Sequence, residues 1–260
     1  MSATSPSRKE QRDLARRERV AREQAAAAAA TRRRRFTRLG AVVALAAVVV
    51  VALVAVSSSG KDTTSATSSS GPVNGATASA AMLSGIPQHG ITLGDPKAPV
   101  RVVEFADLQC PFCRDYAVNV LPGLVQKYVR PGKVRMDFRT LAFIGPDSVR
   151  AGQVAEAAGE QNKLWNFADV MYLNQGKENS GYATDAYLKR IAGAVPGLDT
   201  AKAFDARDGA AVSAQLKAAA DLANASGVNE TPTFLVGRGT NLKAVDAAGL
   251  PAAIKAAVGS

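Results

Sequence analysis

Only two cysteines, Cys110 and Cys113, and one histidine, His89, occur in 260 residues. A zinc knuckle needs about four ligands, so one chain with this supply cannot complete it. His89 stands at the edge of a polar stretch and reads as a solvated loop residue. No cysteine lies near the apolar segment Leu39–Val56, which excludes a lipid-modified anchor there. Net charge is scarce outside the N-terminus. Residues 1–38 hold 12 Lys and Arg against 4 Asp and Glu, leaving only +2 of the total +10 for the other 222 residues. The high isoelectric point therefore describes a tail, and a nucleic-acid groove on the folded part is not expected.

The tail, residues 1–38, is rich in Ala, Arg, Glu and Gln, which favour helix. It has almost no apolar face, so it reads as a frayed helix or a disordered arm. Its arginines suit a cytoplasmic retention signal; RNA or anionic-lipid binding is the alternative. Leu39–Val56 follows, eighteen residues without a charge. As a helix it would span about 27 Å, close to the hydrocarbon thickness of a bilayer. Arg32–Arg35 and Arg38 precede it and only Lys61 follows nearby, so the N-terminus is expected in the cytoplasm and the rest outside. A cleaved signal peptide is the runner-up. Residues 57–85 are Ser, Thr, Ala and Gly with few large apolar side chains, and read as a flexible tether.

A folded domain is expected from about Ile86. Val100–Phe105 is rich in β-branched residues and reads as a buried strand. Val118, Leu121, Val125 and Tyr128 recur at helical spacing, with a kink expected at Pro122. Val134–Leu141 alternates as a second strand, making a βαβ unit whose strands are parallel. Asp147–Ser226 shows no strand signal and predicts a block of helices, with Asp147 or Ser148 as the first N-cap and Gly227 closing the last helix. Trp165, Phe167 and Tyr172 are assigned to the core of this block. Strand chemistry returns at Thr231–Gly237, followed by a turn, the short strand "NLKAV" and a helix starting at or after Pro251. The class is α/β. Residues 86–146 and 227–260 form one sheet-bearing unit, and 147–226 is a helical insertion.

The two cysteines stand three apart in "EFADLQCPFCRDYAV", between a strand and a helix. A redox pair, a metal knuckle and two buried packing residues are all open on spacing alone. The helix start supplies free N–H groups and the positive end of a dipole, which favour an anion. Cys110 sits at that end and is expected to stay accessible. Its thiol pKa should fall from about 8.5 into the range of roughly 3.5–7.5. Cys113, almost one turn in, is expected to be more buried and within reach of the first sulfur. Cys110 would then attack a disulfide or give one up, and Cys113 would resolve the intermediate. Pro111 suits the first helical position.

"VVEFADLQCPFC", the helical insertion and "TPTF" together resemble the thioredoxin-fold, DsbA-like family of thiol–disulfide oxidoreductases, especially its membrane-anchored bacterial members. "ITLGDPKAPVRVVEF", "EQNKLWNFADVMYLNQ" and "GVNETPTFLVG" extend the resemblance over about Gly90 to Val258. It implies Cys110 as nucleophile and Cys113 as resolving thiol. Thr231 and Pro232 would form a cis-proline loop against the pair, and with Pro111 and Phe112 they would meet an extended substrate. Glu104 matches a buried acid beneath the site that could relay a proton to or from Cys113. The implied cofactor is the Cys110–Cys113 disulfide alone, with no metal. The implied partners are secreted or membrane proteins carrying thiols or disulfides, plus a quinone-linked membrane protein for re-oxidation. The strong oxidants of this family carry His inside the pair. Pro111-Phe112 lacks that donor and predicts a less oxidising couple. Asn229 and Glu230 also depart from the family pattern, and Glu230 could raise the Cys110 pKa slightly.

The sequence thus predicts an extracytoplasmic, membrane-tethered oxidoreductase, foremost a disulfide-forming oxidase. A reductase or isomerase of the same fold is the alternative within the class. A substrate-binding holdase with an inert disulfide is the alternative outside it.

Overall fold

The computed structural model describes residues 72–259. The basic arm, the expected membrane segment Leu39–Val56 and the expected linker up to residue 71 lie outside the described residues. Among the described residues no helix is long and apolar enough to cross a membrane.

The chain enters through helix α1 (Ala76–Leu83) and two short strands, β1 (Gln88–His89) and β2 (Thr92–Leu93). The central strand β3 (Val100–Ala106) leads to helix α2 (Pro111–Asn119), helix α3 (Leu121–Leu124), a π-helical stretch (Val125–Val129) and strand β4 (Val134–Thr140). Five helices follow: α4 (Pro146–Gly159), α5 (Leu164–Leu173), α6 (Asp185–Gly193), α7 (Thr200–Ala206) and α8 (Ala210–Ala225). Strands β5 (Thr233–Arg238) and β6 (Asn241–Asp246) and helix α9 (Leu250–Gly259) close the fold. The six strands lie in the order β1-β2-β4-β3-β5-β6. β3 and β4 are parallel, with Val100 opposite Val134 and Ala106 opposite Thr140. β5 is antiparallel to β3 on its other side.

The βαβ reading and the closing ββα are therefore observed. β3 is covered on both faces, which its run of Val and Phe requires. Val100, Val102 and Ala106 face a large core shared with Tyr116, Met136, Trp165, Phe234 and Ile254. Val103 and Phe105 face the other way, onto Leu235 and the small residues Ala219 and Ala223 of α8. The helical insertion has no separate main core: Val154, Leu164, Phe167 and Leu188 belong to the same cluster as the sheet.

Three expectations are corrected. The tether does not run to residue 85, because Ala76–Leu83 is helical and packed, with Ser79 and Leu83 buried. Its few large side chains concealed what holds it. The Arg130 guanidinium donates to the Met82 and Ser84 carbonyls at 2.8 and 2.9 Å, closing the helix end. Asn74 and Asn174 exchange two hydrogen bonds. The expected kinked helix is broken into pieces at Val120 (φ −113°, ψ −47°). Pro122 has no N–H to continue the ladder, and the chain recovers through the π-helical stretch. Helix α4 is capped by Gly145 with Pro146 in its first turn, not by Asp147 or Ser148. Those side chains are engaged elsewhere: Asp147 with Arg150 and the Gly181 N–H, and Ser148 with Asp107. A Cβ at residue 145 would meet Asn179 Oδ1 at 2.1 Å, so a larger residue there would have to displace the Asn179 side chain.

Candidate active site

β3 delivers the chain to the C-terminal end of the sheet, and Asp107 turns it. The Cys110 N–H donates to the Asp107 carbonyl at 3.0 Å, closing a four-residue turn. Asp107 Oδ1 accepts from the Gln109 N–H at 2.8 Å, an Asx turn that competes with further strand. Helix α2 then starts at once. Cys110 is its N-cap, with extended backbone and no side-chain cap, and Pro111 follows in the first turn. The Cys110 sulfur thus lies where the first-turn N–H groups and the helix dipole favour negative charge.

Both cysteines are free thiols, and their surroundings push them apart. The Cys110 pKa is lowered from 9.0 to about 6. A hydrogen bond from the Cys113 side chain is the main cause. Burial opposes it, and a hydrogen bond with the Thr231 side chain and the N–H groups of Cys113 and Phe112 assist. Cys113 is pushed well above 9.0, first by burial and then by its hydrogen bond to Cys110. One thiol is poised to be a thiolate and the other to keep its proton.

Cys110 is less accessible than expected, at 4 % exposed, against 0 % for Cys113. The Thr231 carbonyl lies 3.3 Å from its sulfur and accepts a hydrogen bond from the thiol. That carbonyl belongs to a cis peptide bond with Pro232, so the structure brings Thr231 and Pro232 against Cys110 across 121 residues. Phe112 stands out from the pair, 72 % exposed. Glu230 is exposed, and the influences on Cys110 come instead from Cys113, Thr231, burial and the helix start. His89 is exposed in β1 rather than in a loop.

Glu104 is buried at 1 % exposure. Side chains alternate along a strand, so Glu104 shares the face of Val102 and Ala106. Its register partners are Phe138 on β4 and Phe234 on β5. Phe234 packs on Tyr116 of α2 with ring centroids 4.7 Å apart. The carboxyl therefore sits among aromatic rings, and burial raises its pKa from 4.5 to about 8. Glu104 Oε2 and the Tyr116 hydroxyl have no hydrogen-bond partner. The phenol interacts electrostatically with Glu104 and Cys113 and is itself pushed up, mainly by burial.

Sequence reasoning missed Asp107, which is wholly buried. Besides Gln109, it accepts from Ser148 Oγ at 2.6 Å and from the Phe143 and Ile144 N–H groups at 3.2 Å. One carboxylate ties the turn before Cys110 to the loop after β4 and the start of α4. An acid at a strand end, two residues before Gln109, was a readable Asx-turn signal. Tyr172 is in the core as expected, but its hydroxyl reaches the Asp107 carbonyl at 3.2 Å. No local signal announces that contact, which joins residues 65 apart. Among the described residues no three His, Cys, Asp or Glu are grouped to hold a metal ion.

The family model for thioredoxin matches residues 87–256. A probable disulfide bond formation protein D of Bacillus cereus is 42% identical over 102 residues, covering 38% of this chain and 47% of that one. The chain thus spans about half the length of that relative. A thioredoxin-like oxidoreductase from Silicibacter pomeroyi is similar in structure, with 32% identity, TM-score 0.53 and coverage of 67% and 93%. BdbD from Bacillus subtilis, in its oxidised form, shares the fold at 22% identity and TM-score 0.59, covering 67% of this chain and 98% of that one. A thioredoxin sheet, a Cys-x-x-Cys pair at a helix start and these relatives agree: the chain belongs to the thioredoxin family, with thioredoxin-like oxidoreductases among its relatives.

Proposed function

We propose that this protein exchanges disulfides with other proteins outside the cytoplasm, chiefly as a disulfide-forming oxidase. The observation that carries the reading is the opposed ionisation of two thiols three residues apart, Cys110 near 6 and Cys113 well above 9.0. An inert structural disulfide has no need of that difference. A stabilised thiolate also favours the reduced protein, which makes its disulfide the better oxidant.

In the oxidised protein, a substrate thiolate attacks Cys110 Sγ. The Cys110–Cys113 bond breaks, and Cys113 leaves with the electron pair and takes up a proton. Glu104, held protonated up to about pH 8 by burial, is the internal acid for that transfer. A second substrate thiolate then attacks the substrate sulfur of the mixed disulfide. The substrate disulfide forms, and Cys110 departs as the stabilised thiolate. Two electrons now rest on the cysteine pair, and a quinone-linked membrane partner would remove them. Thr231 and Pro232 offer backbone to an extended substrate segment, while Pro111 and the exposed Phe112 give it apolar contact. The uncharged segment Leu39–Val56 and the arginines before it support a single-pass anchor with the folded domain outside.

Cys113→Ala tests this reading. Cys110 would form mixed disulfides that nothing resolves, and non-reducing gels of cells should show thiol-sensitive adducts absent from Cys110→Ser/Cys113→Ala. No adduct in cells, and none with a reduced model protein plus oxidant, would sink it.

A further inference from the structure

The turn before Cys110 is held from two sides. Asp107 grips it from within, at the end of β3. The second grip comes from Gln175, two residues beyond α5. Its side-chain nitrogen donates to the Leu108 carbonyl at 2.9 Å and to the Cys110 carbonyl at 3.1 Å. A primary amide carries two N–H donors at a fixed angle, so one side chain spans the turn and the helix cap. The Cys110 carbonyl also accepts from the Arg114 N–H at 3.1 Å, the first bond of α2.

Gln175 is mounted on a fixed element. Its own N–H reaches the Tyr172 carbonyl at 3.3 Å. Arg114 Nε returns from α2 to that same carbonyl at 3.1 Å. The adjacent Asn174 donates to Val170 and Asn74 at 2.8 and 3.0 Å and accepts from the Asn74 N–H at 2.8 Å. A donor on so constrained a helix end can dictate the geometry of the turn it meets.

We propose that Gln175 is a positioning residue for the nucleophile: by holding the Leu108 and Cys110 carbonyls it keeps the Cys110 sulfur aimed at the first-turn N–H groups of α2. The reason is rotational. Fixing the Cys110 carbonyl fixes the ψ of that residue, 121°. That angle decides how its Cβ and sulfur lie relative to the helix that starts next. Pro111 has no N–H, so its peptide cannot be held from the nitrogen side; the carbonyl is the available handle. Without Gln175 that carbonyl keeps the Arg114 N–H but loses its anchor outside α2, so the cap residue gains rotational freedom and the Phe112 and Cys113 N–H groups lose part of their alignment on the sulfur.

The inference rests on Cys110 being the thiolate nucleophile, and its test separates the two claims. The other titratable groups around Cys110 are Cys113 on α2, Asp107 in the turn and Tyr172 on α5. Glu104 and Tyr116 lie beneath, toward Cys113, and Glu230 is exposed on the Pro232 loop. Gln175→Met and Gln175→Ser alter none of these and add no charge. The reduced full chain would be titrated by thiolate absorbance at 240 nm, with alkylation by iodoacetamide followed at pH 6. Both variants are expected to show a higher Cys110 midpoint and alkylation slowed by about threefold to tenfold. Wild-type Cys110 ionising near 9 would overturn the nucleophile reading itself. A low wild-type midpoint left unmoved in the variants would overturn only the positioning role, whatever happens to their melting temperatures. Should Gln175→Met fail to fold, the smaller Gln175→Ser carries the same test.

Discussion

Glu104 and Phe105 are neighbours on β3, yet they face opposite sides of one sheet. On the Glu104 side the core holds two thiols, a carboxyl raised to about 8 and a phenol without a partner. On the Phe105 side Val103, Leu141, Leu235, Ala219 and Ala223 form an apolar cluster, and two charges on that face, Asp137 and Arg101, are paired with each other at 2.6 Å. One residue of strand separates the two environments. The polar side carries groups whose burial opposes folding, and that same burial shifts their protonation toward use in exchange. The apolar side contributes stability without touching the sulfur chemistry.

The largest expected effect breaks the apolar side. Phe105→Ala should lower stability by about 3–5 kcal/mol, measured by urea unfolding, while the Cys110 titration stays where it is. A moved titration would show that the two faces are not separate.

Glu104→Gln sharpens the other side. The folded-state pKa of Glu104, about 8, lies above its usual 4.5. Its contribution is therefore complete below pH 4.5 and is lost as pH rises through 8. Relative to the glutamine variant, reduced wild type should lose roughly 3–5 kcal/mol between pH 4.5 and 9. Parallel stability curves would mean that Glu104 ionises as an ordinary surface acid.

The smallest expected effect on stability is at Phe112. Exposed as it is, Phe112→Ala should change stability by less than about 0.5 kcal/mol. It should still slow exchange with apolar peptide thiols several-fold while leaving glutathione unaffected. Equal slowing of both would place Phe112 in the chemistry rather than in contact with substrate.

What was legible in the sequence follows from range. The cysteine pair, Pro111 and the β-branched run of β3 are local patterns with local causes, and each stands where its pattern indicated. The acid at Glu104 was readable, but its burial depends on Phe138 and Phe234 from two other strands. The closeness of Thr231 and Pro232 to Cys110 came from resemblance, since no local rule brings together residues 121 apart. Gln175 gave no signal at all: a glutamine after a helix is ordinary until the turn it grips is folded beside it. Helix α1 was hidden for another reason. Its apolar residues are mostly alanine, and it is held by Arg130 and Asn174, which sequence pattern does not pair with it.

The most direct measurement is the 240 nm titration of the reduced wild-type protein. Two thiols ionising apart, one with a midpoint near pH 6 and the other still protonated above pH 9, is the result predicted. Two thiols ionising together near pH 8.5–9 would contradict the account.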